Sequence, residues 1–336
     1  MHLIFTLSQT RESFSNDTLS QHDSKNEHAL LRELVQNCLD AARPGKDVAI
    51  RISHRDVKSG DLPGLNDLRN ALEAAVEFNK NFPKTPKLTA KIREALDQDK
   101  LNLLIIQDKG RGLNIDRMND ILHDGASRKD QDSAGSYGNG HFTTFKFSEL
   151  LYVIYVGVSE ENGVLISGHT ILASHQSKEG LRGKDGYLAK RITDDIESGF
   201  DFFNEGDFNS DFLTTVINDI KSNSGTGSAV IITAFNAATS NFDTEFSEII
   251  KRADVHQKLT NKGIWHHLSE RGVSKLTIIS DVNIFSGLTH YLVSKDIVSQ
   301  KDCEQITAFL GAQTTWRILG AFEPIQISSI ISSYRN

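Results

Sequence analysis

Two features are scarce in this sequence, and each absence excludes a class of protein. Cys38 and Cys303 are the two cysteines, too few for a disulfide framework or a cysteine zinc site, which favours a reducing compartment. No apolar run approaches the length that crosses a bilayer, and the short apolar run at residues 3–7 follows no basic segment of the kind that opens a signal peptide. We therefore expect a cytoplasmic protein without a membrane segment.

Positive charge is also in deficit, because 37 lysines and arginines are outnumbered by 44 acidic residues, leaving a net charge of −7. This balance argues against a broad basic surface for nucleic acid, although a local basic patch remains compatible with it. The sequence contains neither a G-x-x-x-x-G-K-[ST] phosphate-binding loop nor an H-E-x-x-H zinc motif. The 336 residues are enough for two or three domains.

Hydrophobic periodicity predicts a mixture of strands and helices in the first 240 residues. Strands are predicted at residues 3–7, 48–52, 101–107, 150–158, 163–173, 187–192 and 229–235. Helices are predicted at residues 27–42, within 61–99, at 115–123 and from residue 142. Residues 124–139 are rich in glycine and polar residues and are predicted to form a loop. Beyond residue 240 the composition changes, with helices predicted at residues 245–271 and a strand at 276–280.

The first informative motif lies on the predicted helix at residues 27–42. Four of its residues are spaced to lie along one helix face: Glu33, Asn37, Asp40 and Ala41. The Asn37 side-chain oxygen suits Mg²⁺, and Glu33, one turn earlier, is placed to activate a water that attacks a γ-phosphate. An exposed polar face on a surface helix is the alternative interpretation.

Two glycine-containing motifs follow, each of them weak when taken alone. Asp108 comes directly after a predicted buried strand, where its carboxylate can accept a hydrogen bond from the exocyclic amine of adenine. Gly110 and Gly112 let the backbone approach a flat base, although Asp, Lys and Gly are also common in plain turns. Farther along, residues 135–140 hold three glycines whose backbone amides can surround a phosphate, or simply form a flexible loop.

Taken together and in this order, the motifs resemble those of the GHKL superfamily, which includes gyrase-type topoisomerases, ninety-kilodalton heat-shock chaperones, histidine kinases and MutL-type proteins. The family motif E-x-x-x-N-x-x-D-A is matched by residues 33–41, D-x-G-x-G by residues 108–112, and the glycine-rich lid by residues 135–140. A fourth element, Gly-Thr before a late strand, is matched by Gly225 and Thr226. The chaperone, MutL-type and MORC-type branches are the most similar, because histidine kinases usually have another residue in place of Glu33.

The resemblance implies a Bergerat fold over residues 1–240: an α/β fold with a mixed, mainly antiparallel sheet and helices on one face. The stretch between the first two motifs is longer than is usual for the family, which indicates a helical insertion at about residues 58–99. Residues 241–336 are expected to form a smaller C-terminal α/β segment of unknown role.

The same resemblance implies roles for individual residues. Glu33 is expected to be the catalytic base and Asn37 the Mg²⁺ ligand. Adenine would be surrounded by Ala41, Asp108, Gly112 and Thr226, with Leu113 against the base. Altogether, the resemblance assigns fourteen residues to nucleotide binding: Asn37, Asp40, Ala41, Asp108, Gly110, Gly112, Leu113, Gly135, Gly138, Asn139, Gly140, His141, Phe142 and Thr226.

We therefore expect a Mg²⁺-dependent ATPase of low turnover, whose lid closure is coupled to formation of a homodimer or to contact with a protein partner. Two alternatives remain: a nucleotide-responsive binding module with little turnover, and a protein kinase of the same fold. The kinase is disfavoured by Glu33 and by the absence of a recognisable phospho-acceptor histidine helix. Family ATPases complete their site with a basic residue, for which four candidates follow residue 240: Lys251, Lys262, Lys275 and Lys295.

Overall fold

The computed structural model describes residues 1–13, 34, 37–38, 41, 43, 48–81, 85–122, 142–192, 199–235, 275–280 and 314–319. The chain divides into two units according to its internal contacts. The larger unit comprises Met1–Lys25, Arg55–Ile105 and Arg111–Ala237. The smaller unit comprises Asn26–His54, Ile106–Gly110 and Ala238–Asn336.

The strands are β1 (Leu3–Leu7), β2 (Val48–Lys58), β3 (Lys100–Asp108), β4 (Tyr152–Ser159), β5 (Gly163–Ile171), β6 (His175–Ser177), β7 (Gly180–Leu188), β8 (Arg191–Ile192), β9 (Phe200–Asp201), β10 (Gly227–Ile232), β11 (Lys275–Ser280) and β12 (Thr314–Leu319). The helices are α1 (Leu65–Phe78), α2 (Thr85–Leu96), α3 (Ile115–Leu122), α4 (Phe142–Lys146) and α5 (Asp211–Ser224), with single 3-10 turns at Ser59–Asp61 and Glu205–Asp207. Leu34, Asn37 and Cys38 are also helical.

A mainly antiparallel sheet is the framework of the larger unit. Its strand order is β1-β7-β5-β4-β10-β3-β2, and β6 pairs with the outer part of β7. The pairs β1–β7, β7–β5, β5–β4 and β4–β10 are all antiparallel, with Leu3 opposite Leu188 and Tyr152 opposite Thr170. The predicted α/β class with a mainly antiparallel sheet is therefore confirmed.

The described strands of the smaller unit include a parallel pair. The first residues of β2 run parallel to β11, with Val48 opposite Leu276. Strand β11 then pairs antiparallel with β12, with Lys275 opposite Leu319. The strand predicted at residues 276–280 is therefore present, whereas the helices predicted at residues 245–271 lie outside the described residues.

Both faces of the sheet in the larger unit carry a hydrophobic core. Alternate residues of β4 point to opposite faces, so that Ile154 and Val156 belong to one cluster while Val153 and Tyr155 belong to the other. Helices α1, α2 and α5 cover the first face. The opposite face is covered by the short helices α3 and α4, whose apolar side chains add to the second cluster: Met118, Leu122 and Phe145.

Several elements of the larger unit differ from the sequence predictions, and β6 and β9 were not among the predicted strands. The strand predicted at residues 187–192 is divided, because β7 ends at Leu188 and Arg191–Ile192 pairs with Phe200–Asp201 in a separate two-stranded sheet. Helix α5 was not among the predicted helices. It starts with the side chain of Ser210 accepting the Leu213 N–H, as an N-cap residue does. Within the described part of the chain, no helix combines the length and apolar character that crossing a membrane requires.

Candidate functional site

In the smaller unit, residues of the first two motifs meet where β3 ends. Asp108 is 4% exposed, and its Oδ1 accepts the Gly110 N–H at 2.6 Å. A Cβ atom at position 110 would lie 2.4 Å from the Ala41 carbonyl oxygen and 2.7 Å from Asp108 Oδ1. Any residue larger than glycine would push these groups apart. Ala41, Asp108 and Gly110 therefore form one compact cradle.

The helical residues before Ala41 also belong to the smaller unit. Leu34 and Cys38 are buried, whereas Asn37 is exposed. The Asn37 carbonyl oxygen accepts the Ala41 N–H at 3.0 Å. Burial, and secondarily the negative charge of Asp108, raise the pKa of the Cys38 thiol. Cys38 is thus an uncharged packing residue near Asp108, as its sequence position also indicates.

In the larger unit, Gly112 occupies a turn that only glycine can fill. Its φ is +77°, in the left-handed region that disfavours residues with a Cβ atom. A Cβ atom at position 112 would lie 2.1 Å from the Val158 carbonyl oxygen and 3.0 Å from the Gly227 carbonyl oxygen. The turn after Arg111 therefore packs backbone against backbone on the ends of β4 and β10.

Leu113 continues this turn against the same strand. A Cβ atom at position 157 would lie 2.4 Å from the Leu113 carbonyl oxygen and 2.6 Å from the Leu113 Cβ. Gly157 thus leaves room for Leu113 beside β4, and Leu113 is 9% exposed within the second hydrophobic cluster. This is the position at which an apolar side chain was predicted to lie against a base.

Thr226 lies directly before Gly227 and is buried. Helix α5 ends at Ser224, and the following Gly225 has a φ of +76° and donates its N–H to the Lys221 carbonyl oxygen, which closes the helix. The Ser224 hydroxyl also bonds the Thr226 carbonyl oxygen. The fourth motif is therefore held in a fixed connection between α5 and β10, next to the Gly112 turn.

Helix α4 begins at Phe142, directly after the glycine-rich segment. Phe145 on this helix is fully buried and packs edge-on against His169 of β5, with ring centroids 5.0 Å apart. His169 in turn stacks on Tyr187 at 4.7 Å and places its Nε2 3.0 Å from Asp185 Oδ1. The chain that follows the predicted lid is thus anchored in the second hydrophobic cluster.

The structure brings together part of the predicted site. In the smaller unit, Ala41 lies against Asp108 and Gly110. In the larger unit, Gly112 and Leu113 lie against β4, and Gly112 also lies against the start of β10, which follows Thr226. Seven of the predicted residues lie outside the described part of the chain: Glu33, Asp40, Gly135, Gly138, Asn139, Gly140 and His141. Among the described residues, no group of three or more His, Cys, Asp or Glu side chains is arranged to hold a metal ion.

Sequence reasoning missed Gly157 and Arg117 as parts of this arrangement. Arg117 on α3 donates from Nη1 to the Gly112 carbonyl oxygen at 3.2 Å. Gly157 interrupts an otherwise apolar strand, and a glycine inside a strand often marks the close approach of another backbone. That signal was available from the sequence, whereas nothing in the sequence indicates the bond from Arg117.

Comparison with known proteins adds no family assignment. No protein-family model matches the sequence, and the search of curated proteins finds no significant match.

Proposed function

We propose that this protein binds Mg-ATP through its GHKL-like motifs and hydrolyses it slowly. The supporting observation is the cradle formed by Ala41, Asp108 and Gly110. Residues of two separate motifs meet there, although nothing in the spacing of either motif requires it. A buried carboxylate beside closely packed glycine backbone suits a flat base that carries a hydrogen-bond donor.

Asp108 would select adenine by the hydrogen bond that its carboxylate accepts from the exocyclic amine. Guanine has a carbonyl oxygen at that position, and two acceptors facing each other in a buried site are unfavourable. The family motifs also assign Gly112, Leu113 and Thr226, which belong to the larger unit, to the nucleotide. Their backbone positions against β4 and β10 leave little freedom to be lost when a ligand binds.

In the proposed reaction a water oxygen attacks the γ-phosphorus of ATP. The bond between that phosphorus and the β,γ-bridging oxygen breaks, and ADP leaves with the electron pair. Glu33, four residues before Asn37 in the sequence, would accept the proton that the water loses. When bound, Mg²⁺ supplies positive charge that neutralises the phosphate oxygens, and the exposed Asn37 side chain would hold it. The products are ADP and inorganic phosphate.

The glycine-rich residues 135–140 would close over the phosphates, and we propose that this closure is coupled to formation of a homodimer or to contact with a protein partner. Helix α4, anchored by Phe145, would give the closing segment a fixed end. In such a cycle the movement, rather than bond cleavage, is the useful output.

The test is phosphate release from Mg-ATP by the purified chain over a range of protein concentrations, beside Glu33→Ala. Glu94→Ala serves as the matched control, because Glu94 is an exposed carboxylate on α2. A rate per chain that rises with concentration, is unchanged in the control and is lost in Glu33→Ala supports a dimerising ATPase. Binding of ATP without release by any of the three proteins would instead favour a nucleotide-responsive binding module. Release that persists in Glu33→Ala would contradict the role of this residue.

A further inference from the structure

The turn between β4 and β5 is hydrogen-bonded to the first residues of α3. Asn162 Oδ1 accepts the Ile115 N–H at 3.1 Å, one of the backbone donors that a helix leaves unpaired at its start. Beside it, Asn114 Nδ2 donates to Glu161 Oε2 at 3.0 Å. Two side chains of one tight turn thus fix the position at which α3 begins.

The start of α3 is in turn bonded to the Gly112 turn. Asn114 Oδ1 accepts the Arg117 N–H at 3.1 Å and so caps the helix. The Arg117 guanidinium then reaches back and donates to the Gly112 carbonyl oxygen at 3.2 Å. A continuous series of hydrogen bonds therefore runs from Asn162 through the first turn of α3 to residue 112.

Strand β4 limits residues 112 and 113 from the other side. The contacts of Gly112 with Val158 and of Leu113 with Gly157 leave no room for either residue to move toward the sheet. Movement away from the sheet is opposed by the hydrogen bonds of α3. Loss of those bonds would leave the Gly112 turn fixed on one side only.

We infer that Asn162 is a positioning residue for nucleotide binding, an inference that rests on the function proposed above. Asn162 does not contact the base in this scheme. It holds the start of α3, and through Arg117 the Gly112 turn, in the conformation that receives the base. A turn that is ordered before the ligand arrives loses less conformational entropy on binding, which strengthens affinity without changing the chemical step.

The experiment compares Asn162→Ala with Asn162→Asp, because aspartate keeps the side-chain acceptor for the Ile115 N–H. We expect Asn162→Ala to raise the Kd for Mg-ATP by about threefold to tenfold, because binding must then order the turn at a cost comparable to that of one hydrogen bond. The kcat should stay within about twofold of the wild-type value, because the chemical groups are untouched. Asn162→Asp should restore the wild-type Kd. Lys178→Ala, on the exposed β6–β7 turn, is the matched control.

Amide hydrogen exchange on the ligand-free proteins provides a second readout that needs no nucleotide. Asn162→Ala should exchange faster than wild type at residues 112–118, and Asn162→Asp should not. A wild-type protein that binds Mg-ATP, together with an Asn162→Ala variant of equal affinity and unchanged exchange, would overturn the inference. A wild-type protein that binds no nucleotide would instead contradict the proposed function, so the two failures are distinguishable.

Discussion

Gly112 packs directly on Val158, such that a Cβ atom at position 112 would lie 2.1 Å from the Val158 carbonyl oxygen. We predict that Gly112→Ala lowers the free energy of unfolding by about 2–5 kcal/mol, since the left-handed backbone and the overpacking both contribute. Urea unfolding followed by circular dichroism measures this change.

Gly163→Ala separates the two contributions to that loss. Gly163 has a similar φ of +66°, but a Cβ atom there would meet nothing within 4 Å. This variant should lose only the backbone contribution of about 1–2 kcal/mol. Equal losses in the two variants would show that the contact between Gly112 and Val158 does not constrain the fold.

Asp108→Asn, which removes only the charge of this side chain, should weaken ATP binding more than it weakens the fold. Asp108→Asn keeps the oxygen that accepts the Gly110 N–H, so the thermal midpoint should change little. The new amide would present a donor to the adenine amine, and we expect ATP affinity to fall at least about tenfold. Isothermal titration with ATP and GTP measures both affinities. Unchanged ATP affinity in Asp108→Asn would contradict the assignment of Asp108 to the base.

His175 should make the protein less stable in mild acid. Burial lowers the pKa of His175 below its ordinary value of 6.5, so the folded state takes up this proton at a lower pH than the unfolded chain does. The unfolded chain takes up a proton as the pH falls through about 6.5, and the free energy of unfolding therefore decreases below that pH. Urea unfolding between pH 7.5 and 5.5 should show this decrease.

His175→Gln should weaken that pH dependence, because the variant has no imidazole to protonate at this position. His2→Gln is the matched control, since the side chain of His2 is 81% exposed. A pH dependence that is the same in wild type and in His175→Gln would assign the effect to other groups.

Asp185 should stabilise the fold through its buried partner. The Nε2–H of His169 donates to Asp185, and His169 is fully buried. Asp185→Ala would leave this donor without an acceptor, at a cost of about 1–3 kcal/mol, whereas Asp185→Asn keeps an oxygen in place. Urea unfolding of both variants measures the difference. Glu179→Ala removes an exposed ion pair with Arg182 and should change stability little. If Glu179→Ala lost as much stability as Asp185→Ala, the larger contribution assigned to the buried bond of His169 would be wrong.

The sequence predicts the helices and strands whose own hydrophobic pattern is sufficient to identify them. Strand β3 is predicted because residues 101–107 are nearly continuously apolar, and α3 because its apolar residues recur at helical spacing. Strand β7 contains three glycines, which weaken a strand signal, and it forms because β1 and β5 pair with it on either side. At Gly186, a Cβ atom would lie 2.6 Å from the Phe5 ring, so the glycine is required by the neighbouring strand.

The candidate site likewise contains residues that the sequence indicates and contacts that it does not. Asp108 and Gly110 are recognisable because a carboxylate and a glycine after a buried strand are typical of a ligand-binding turn. The contact of Gly110 with Ala41 joins distant parts of the chain and depends on tertiary structure. The bonds from Asn162 and Arg117 escape prediction for the same reason, since asparagine and arginine are ordinary surface residues in any sequence.

The pairing of β1 with β7 has a consequence for synthesis of the protein. Leu3 is synthesised well before its partner Leu188, because most of the larger unit lies between them in the sequence. At about 5–20 residues per second, β1 waits on the order of tens of seconds for the strand that it joins. A chain released before β7 is made would therefore carry β1 as an unpaired apolar strand, the kind of segment through which nascent chains aggregate.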